Sequence, residues 1–238
     1  PDAREAAAWI VSSAGEVNLV TADLQSLSGF PIATGIRPTA EPVSFEGTLY
    51  LCDGDSTLRA VGRDGSVSVA SLPFTDAVRS PPAFLKAGKK TLVATYPKSF
   101  LGALWLTDTG GTPESAWPAY ASGIAFGSPL PFVLEGKPAV AFVTQAGELS
   151  VFDLDAKPLP GFPVALSGVF YAQPAFDGEF LWLVSSSGTL FRVSPDGKVL
   201  SHRIPEFTAE EGLVTLFDVT GDGIPEIFVT GDGSALHG

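Results

Sequence analysis

PFVLEGKPAVAFVTQAGELSVFDLDAKPLPGFPV, residues 131–164, holds four apolar segments separated by turns. A Pro-led segment ends in Gly (Pro131 to Gly136). A second apolar segment follows at once (Ala139 to Thr144). The third opens on a small residue and then alternates, as Gly147-Glu148-Leu149-Ser150-Val151-Phe152. A Gly turn and the closing phrase Gly161-Phe162-Pro163-Val164 complete it. Segments of this length, rich in Val, Leu, Phe and Thr and bounded by Gly, Pro, Asp or Ser, read as β-strands. No sustained helical period appears beyond the first few residues of the chain.

The same phrase recurs on both sides. Its Pro-led part returns as Pro42 to Gly47, Pro82 to Gly88 and Pro174 to Gly178. Its second part returns as Thr48 to Cys52, Thr91 to Tyr96, Phe180 to Ser185 and Glu226 to Thr230, with Ala7 to Ser12 as an early copy. The third part opens at Gly15, Ser56, Gly102, Gly147, Gly188 and Gly233, and these openings lie 41, 46, 45, 41 and 45 residues apart. Four short strands per repeat of roughly 40–50 residues match a propeller blade in length. A lone four-stranded sheet would leave both faces wet, whereas radial packing of sheet on sheet covers them. The expected fold is therefore all-β: a β-propeller of four-stranded antiparallel blades with about six repeats visible. A sandwich also supplies many strands, but not one phrase repeated in a fixed turn order.

The expected division is a partial blade at 1–35, blades at 36–74, 75–123, 124–168 and 169–207, and a partial blade at 208–238. The chain enters the phrase at its second strand and leaves it near the third. That predicts a longer propeller of six to eight blades, or else a smaller ring whose terminal pieces share a blade.

Composition narrows the function. The chain has 238 residues, is 45% hydrophobic and carries a formal net charge of −12, so it can bury a core. No Lys/Arg stripe is present, which argues against nucleic acid and against anionic membranes as partners. No run of 18 apolar residues suggests a membrane-spanning helix, and no signal peptide is visible. Cys52 is the one cysteine and lies in the apolar run Thr48-Leu49-Tyr50-Leu51-Cys52, which suits a small buried hydrophobe.

Asp218-Val219-Thr220-Gly221-Asp222-Gly223-Ile224-Pro225-Glu226-Ile227-Phe228-Val229 resembles the FG-GAP/VCBS type of propeller repeat, found in integrin α heads and many bacterial surface proteins. In that family the loop holds Ca²⁺, which wants six to eight oxygens. The resemblance implies ligands from Asp218, Thr220, Asp222, the Ile224 carbonyl and Glu226. Thr220 stands where the family has Asp or Asn, and Glu226 where it has Asp. The equivalent loops at Phe45-Glu46-Gly47, Lys86 to Lys90, Leu134-Glu135-Gly136 and Phe176-Asp177-Gly178 lack such carboxylates, so calcium is not expected to staple every blade. Ala103-Leu104-Trp105-Leu106-Thr107-Asp108-Thr109-Gly110-Gly111, running on to Trp117, is similar to the tryptophan-docking repeat of quinoprotein-type propellers. That likeness implies that Trp117 packs between blades.

Enzymatic signatures are sparse. The sequence has no Ser-x-Asp-x-Gly-x-Thr-Trp turn, no Gly-x-Ser-x-Gly elbow and no His/Cys cluster for zinc. His202 is expected on a solvent-facing strand, and His237 is terminal. Glu210 and Glu211 are neighbours and would point to opposite faces of a strand. Asp53 and Asp55, flanking Gly54, read as turn residues. The Gly-Phe-Pro closers sit at outer turns, where they pack blades or meet partners. The expected function is a non-enzymatic extracytoplasmic scaffold, secreted, periplasmic or envelope-anchored, presenting loops to a protein or carbohydrate ligand. The alternatives are a hydrolase or lyase using acids at the channel mouth, and a scaffold subunit of envelope assembly.

Overall fold

The computed structural model describes residues 7–78, 80–97, 102–208 and 212–231, and all of its regular structure is β. The first sheet has three strands, β1 (Ala7–Val11), β2 (Glu16–Thr21) and β3 (Ile32–Ala33). Four four-stranded sheets follow in chain order. The first contains β4 (Val43–Phe45), β5 (Thr48–Cys52), β6 (Thr57–Val61) and β7 (Val67–Ser71). The next contains β8 (Ala83–Ala87), β9 (Lys90–Thr95), β10 (Ala103–Asp108) and β11 (Ala119–Tyr120). Then come β12 (Leu130–Leu134), β13 (Lys137–Val143), β14 (Glu148–Asp153) and β15 (Val164–Ala165). The last contains β16 (Ala175–Phe176), β17 (Leu181–Val184), β18 (Thr189–Val193) and β19 (Val199–Arg203). A two-stranded sheet of β20 (Val214–Phe217) and β21 (Glu226–Val229) ends the described chain. Each strand pairs antiparallel with its sequence neighbour. Gly233 to Ala235, the last copy of the third-strand phrase, lies outside the described residues, as do Glu210, Glu211 and His237.

Local chemistry sets the hairpins. Phe45 pairs with Thr48 and Leu134 with Lys137, leaving two-residue loops Glu46-Gly47 and Glu135-Gly136. Both residues of each loop have positive φ, at 48° and 79° and at 50° and 76°. That is the mirror-image turn whose twist matches antiparallel strands, and it explains why Gly closes these two Pro-led segments. The bend from second to third strand uses a different device. Ser12, Asp53, Thr144 and Ser185 each accept the backbone N–H four residues on, from Glu16, Thr57, Glu148 and Thr189. A short polar side chain thus satisfies a turn donor that the ladder cannot reach.

The apolar residues gather between sheets, not within one. Val17, Leu49, Leu51 and Val61 join the first sheet to the second. Tyr50, Cys52, Leu58, Leu72 and Val93 join the second to the third. Leu92, Leu106, Trp117, Val140 and Phe142 join the third to the fourth. Val143, Leu149, Phe170, Leu181 and Phe191 join the fourth to the fifth, and Val184, Phe207, Val214 and Val229 the fifth to the sixth. Each of the four four-stranded sheets is therefore covered on both faces by its neighbours, as radial packing requires. Trp117 is buried between two sheets, and its indole Nε1–H donates to the Leu154 carbonyl at 2.9 Å.

Candidate functional site

The chain passes from the last strand of one sheet to the first of the next through a connector that runs over the turns at one end of the sheets. Thr39 N–H donates to the Cys52 carbonyl at 3.0 Å. Gln145 N–H donates to Ile124, Phe170 N–H to Gln145 and Ser186 N–H to Val169, at 2.6, 3.0 and 2.8 Å. The connector through Val169 and Phe170 is thereby held between the second-to-third-strand turns of the fourth and fifth sheets. Beyond these anchor points the connectors reach the axis.

There they line a funnel of about 1260 Å³. Its wall includes Pro38 to Glu41, Pro81, Phe126 to Ser128, Tyr171 to Gln173, Thr208 and Leu213, so five connectors contribute. Phe126 and Tyr171 meet edge to face, with ring centroids 5.3 Å apart and planes at 74°. Gly127 lets two connectors touch: a Cβ there would lie 2.1 Å from the Gln173 nitrogen and 2.3 Å from the Ala172 carbonyl carbon. The Tyr96 hydroxyl donates to the Gly127 carbonyl, and the Ser128 N–H reaches the Gln173 side-chain oxygen at 3.4 Å. Glu41 is the one formally charged side chain among the described lining residues. The mouth thus offers small polar side chains and an aromatic pair.

The residues singled out from the sequence lie elsewhere. Asp218 to Pro225 connects β20 to β21, at the opposite end of the sheets from the funnel. One oxygen of Asp218 accepts from the N–H of Gly221 at 2.6 Å and of Asp222 at 3.2 Å, and the other from Gly223 at 2.7 Å. Asp222 accepts from Ile224 N–H at 2.8 Å, and Glu226 from Val219 N–H at 2.7 Å. The Thr220 hydroxyl donates to Asp218 at 3.5 Å. Donation from Gly223 leads the effects that hold the Asp218 carboxyl below its usual range, outweighing the cost of desolvation. Among the described residues no three His, Cys, Asp or Glu side chains gather around a point. The loop is closed by its own hydrogen bonds.

Asp53 is a buried turn acceptor. It takes the N–H of Asp55 at 2.9 Å and of Thr57 at 3.0 Å, and the Thr57 hydroxyl at 2.6 Å. Cys52 is fully buried, and desolvation followed by the adjacent Asp53 pushes its thiol up to about 12. A thiol so placed is a packing group, not a nucleophile. His202 is exposed on β19. Phe30 and Phe162 of the Gly-Phe-Pro closers pack against inter-sheet clusters. Reasoning from the sequence missed Phe126 and Tyr171. Their signal was present: both are aromatics outside the strand phrases, each a few residues ahead of a Pro-led inner strand.

No protein-family model matches the chain, and no curated protein matches it. Solved structures do. BBS1N in complex with ARL6DN, from a mercury-soaked crystal, superposes with a TM-score of 0.69 at 14% identity, over 96% of this chain and 70% of that one. The lead-soaked crystal gives 0.67 at 11% identity, over 96% and 72%. This chain is a β-propeller. The computationally designed Ika8 protein is a more distant match, with a TM-score of 0.53 at 14% identity over 94% of this propeller and 80% of that chain. At such identities the likeness carries the fold alone.

Proposed function

We propose that this propeller is a binding scaffold that holds a partner protein at its funnel, outside the cytoplasm. The observation that carries the proposal is the funnel itself, built from five connectors and walled in part by the Phe126–Tyr171 pair. Concave surfaces with a few placed polar groups are where ligands bind, and rigid sheets hold the connectors in position. Support also comes from BBS1N, a structural neighbour solved in a complex with ARL6DN. An acid–base enzyme would bring two titratable groups within reach of one point. The described lining brings one carboxylate, Glu41.

Site-specific photo-cross-linking tests this. A photoreactive residue in place of Tyr171 is expected to capture a partner protein that the same residue at Val133, beside the β12–β13 turn and away from the funnel lining, does not. Capture should fall at least tenfold with Phe126→Ser. Capture at Val133 alone would overturn the proposal, and specific glycan binding lost in Phe126→Ser would move the ligand to carbohydrate. The extracytoplasmic setting draws on the FG-GAP-like loop at Asp218 to Val229, and fractionation of cells that make the protein tests it. Calcium at that loop is a separate proposal. Calorimetric titration with Ca²⁺ is expected to give heat in the wild type that Asp222→Ala lacks, and equal heats would remove the ion.

A further inference from the structure

The outer edges of the sheets differ sharply. β3, β11 and β15 are two residues long, and each follows a Pro that has no N–H to offer. β7 and β19 are five residues long. β19 follows Lys198 and ends in Arg203, and such charges discourage a second strand from pairing. β7 has no such guard. Ser66-Val67-Ser68-Val69-Ala70-Ser71-Leu72 is uncharged throughout, in a chain whose formal net charge is −12.

Register shows which backbone groups on β7 are open. Val61 pairs with Val67, Arg59 with Val69 and Thr57 with Ser71. The flanking bonds run from Gly62 N–H to Ser66 and from Leu72 N–H to Ser56, so Ser66, Ser68, Ala70 and Leu72 face β6 with their hydrogen-bonding groups. In an antiparallel ladder the alternate residues face away. These are Val67, Val69 and Ser71, and no backbone partner for them occurs among the described residues. Gly111 of the next sheet lies against the Ser71 carbonyl, where a Cβ would come within 2.2 Å of the oxygen. The open part of the edge is therefore Val67 to Val69, and these two valines are 40% and 54% exposed.

We propose that this edge pairs with the same edge of a second copy of the chain. A two-fold axis at Ser68 sets Val67 of each strand opposite Val69 of the other. All four open N–H and all four open C=O groups of these valines then find partners, and the valines form cross-strand pairs. The nearest charges, Arg63 and Asp64, fall opposite Pro73 and Leu72, beyond the paired residues. Two copies of so acidic a chain repel, and they can approach most closely where the surface is neutral. An isologous contact of this kind closes at two copies. It buries less than the roughly 1,000 Å² of a stable interface, so the dimer is weak and concentration-dependent.

Sedimentation equilibrium from micromolar to near-millimolar protein tests it. The weight-average mass should rise toward twice that of the chain, and the rise should steepen with added salt as repulsion is screened. Amide exchange at Val67 and Val69 should slow over the same range. Val69→Lys, at an exposed side chain, should hold the mass at the monomer with an unchanged melting curve. Leu200→Lys, on the guarded edge, should dimerise like the wild type. A wild type that stays monomeric, a rise that survives Val69→Lys, a rise without protection of the two amides, or a rise abolished by Leu200→Lys would each overturn the proposal.

Discussion

Gly147 shows how one residue ties a strand to its closing segment. It has a φ of +89°, and a Cβ there would stand 2.2 Å from the Leu166 carbonyl oxygen. Gly15 and Gly188 repeat the arrangement, at 1.8 Å from Ile36 and 2.4 Å from Phe207. Gly147 also accepts from Leu166 N–H at 2.8 Å, so the close approach and the hydrogen bond belong to one contact. Ser56 occupies the same place in the second sheet at a φ of 57°, and its hydroxyl donates to the Asp76 carbonyl. The contact thus survives loss of glycine when the new side chain finds a partner. Gly147→Ala meets both the conformational penalty and the clash, and should lower unfolding stability by about 2–4 kcal/mol in urea titration. Gly178 has a φ of +104° but open space around it, so Gly178→Ala should cost only about 1 kcal/mol. Equal losses would show that the close approach contributes nothing.

Hairpins carry the next level, and the β16–β17 turn is built on a partly buried carboxylate. Asp177 accepts from the N–H groups of Glu179 and Phe180 at 2.8 and 2.6 Å, and from the Trp182 indole at 2.6 Å. Partial burial resists its ionisation, but the bonds from Phe180, Trp182 and Glu179 outweigh that and hold the carboxyl below its usual range. The unfolded chain then binds the proton more readily than the folded one. The turn's contribution is fully present above the unfolded carboxylate pKa of about 3.9 and is lost as pH falls through the lower folded value. Thermal melts from neutral pH to about pH 2 should show Asp177→Asn losing less stability on acidification than the wild type. Parallel curves would remove Asp177 from the acid response.

The elements were largely legible in the sequence, because apolar alternation and glycine punctuation follow directly from strand pleat and turn geometry. Pro131 to Gly136 became β12 and its tight turn, and Gly147 to Asp153 became β14. The funnel was not legible. Phe126 and Tyr171 sit on connectors with no period, and what unites them is proximity around an axis, which strand patterns do not encode. The turn acceptors Ser12, Asp53, Thr144 and Ser185 differ in type, so their shared role showed only once their hydrogen bonds were seen.

At the scale of the whole molecule, apolar cores alternate with sheets, and each core joins two neighbours only. Stability in such an array is approximately a sum of sheet and interface terms, as in other repeat architectures. Phe142 is 1% exposed in the core between the β8–β11 and β12–β15 sheets, where its ring lies 6.1 Å from that of Phe152. Phe142→Ala should cost about 3–5 kcal/mol by removing transfer free energy and leaving a cavity. That loss is large against the 5–15 kcal/mol of an ordinary domain, so where it is felt can be measured. Nearest-neighbour coupling places it in β9, β10, β13 and β14, whose amides should exchange faster under native conditions. The β1–β3 sheet is separated from that core by two further cores and should keep its protection. Acceleration of equal size in β1–β3 would mean that the sheets open together, and that closure around the axis, not pairwise packing, sets the cooperative unit.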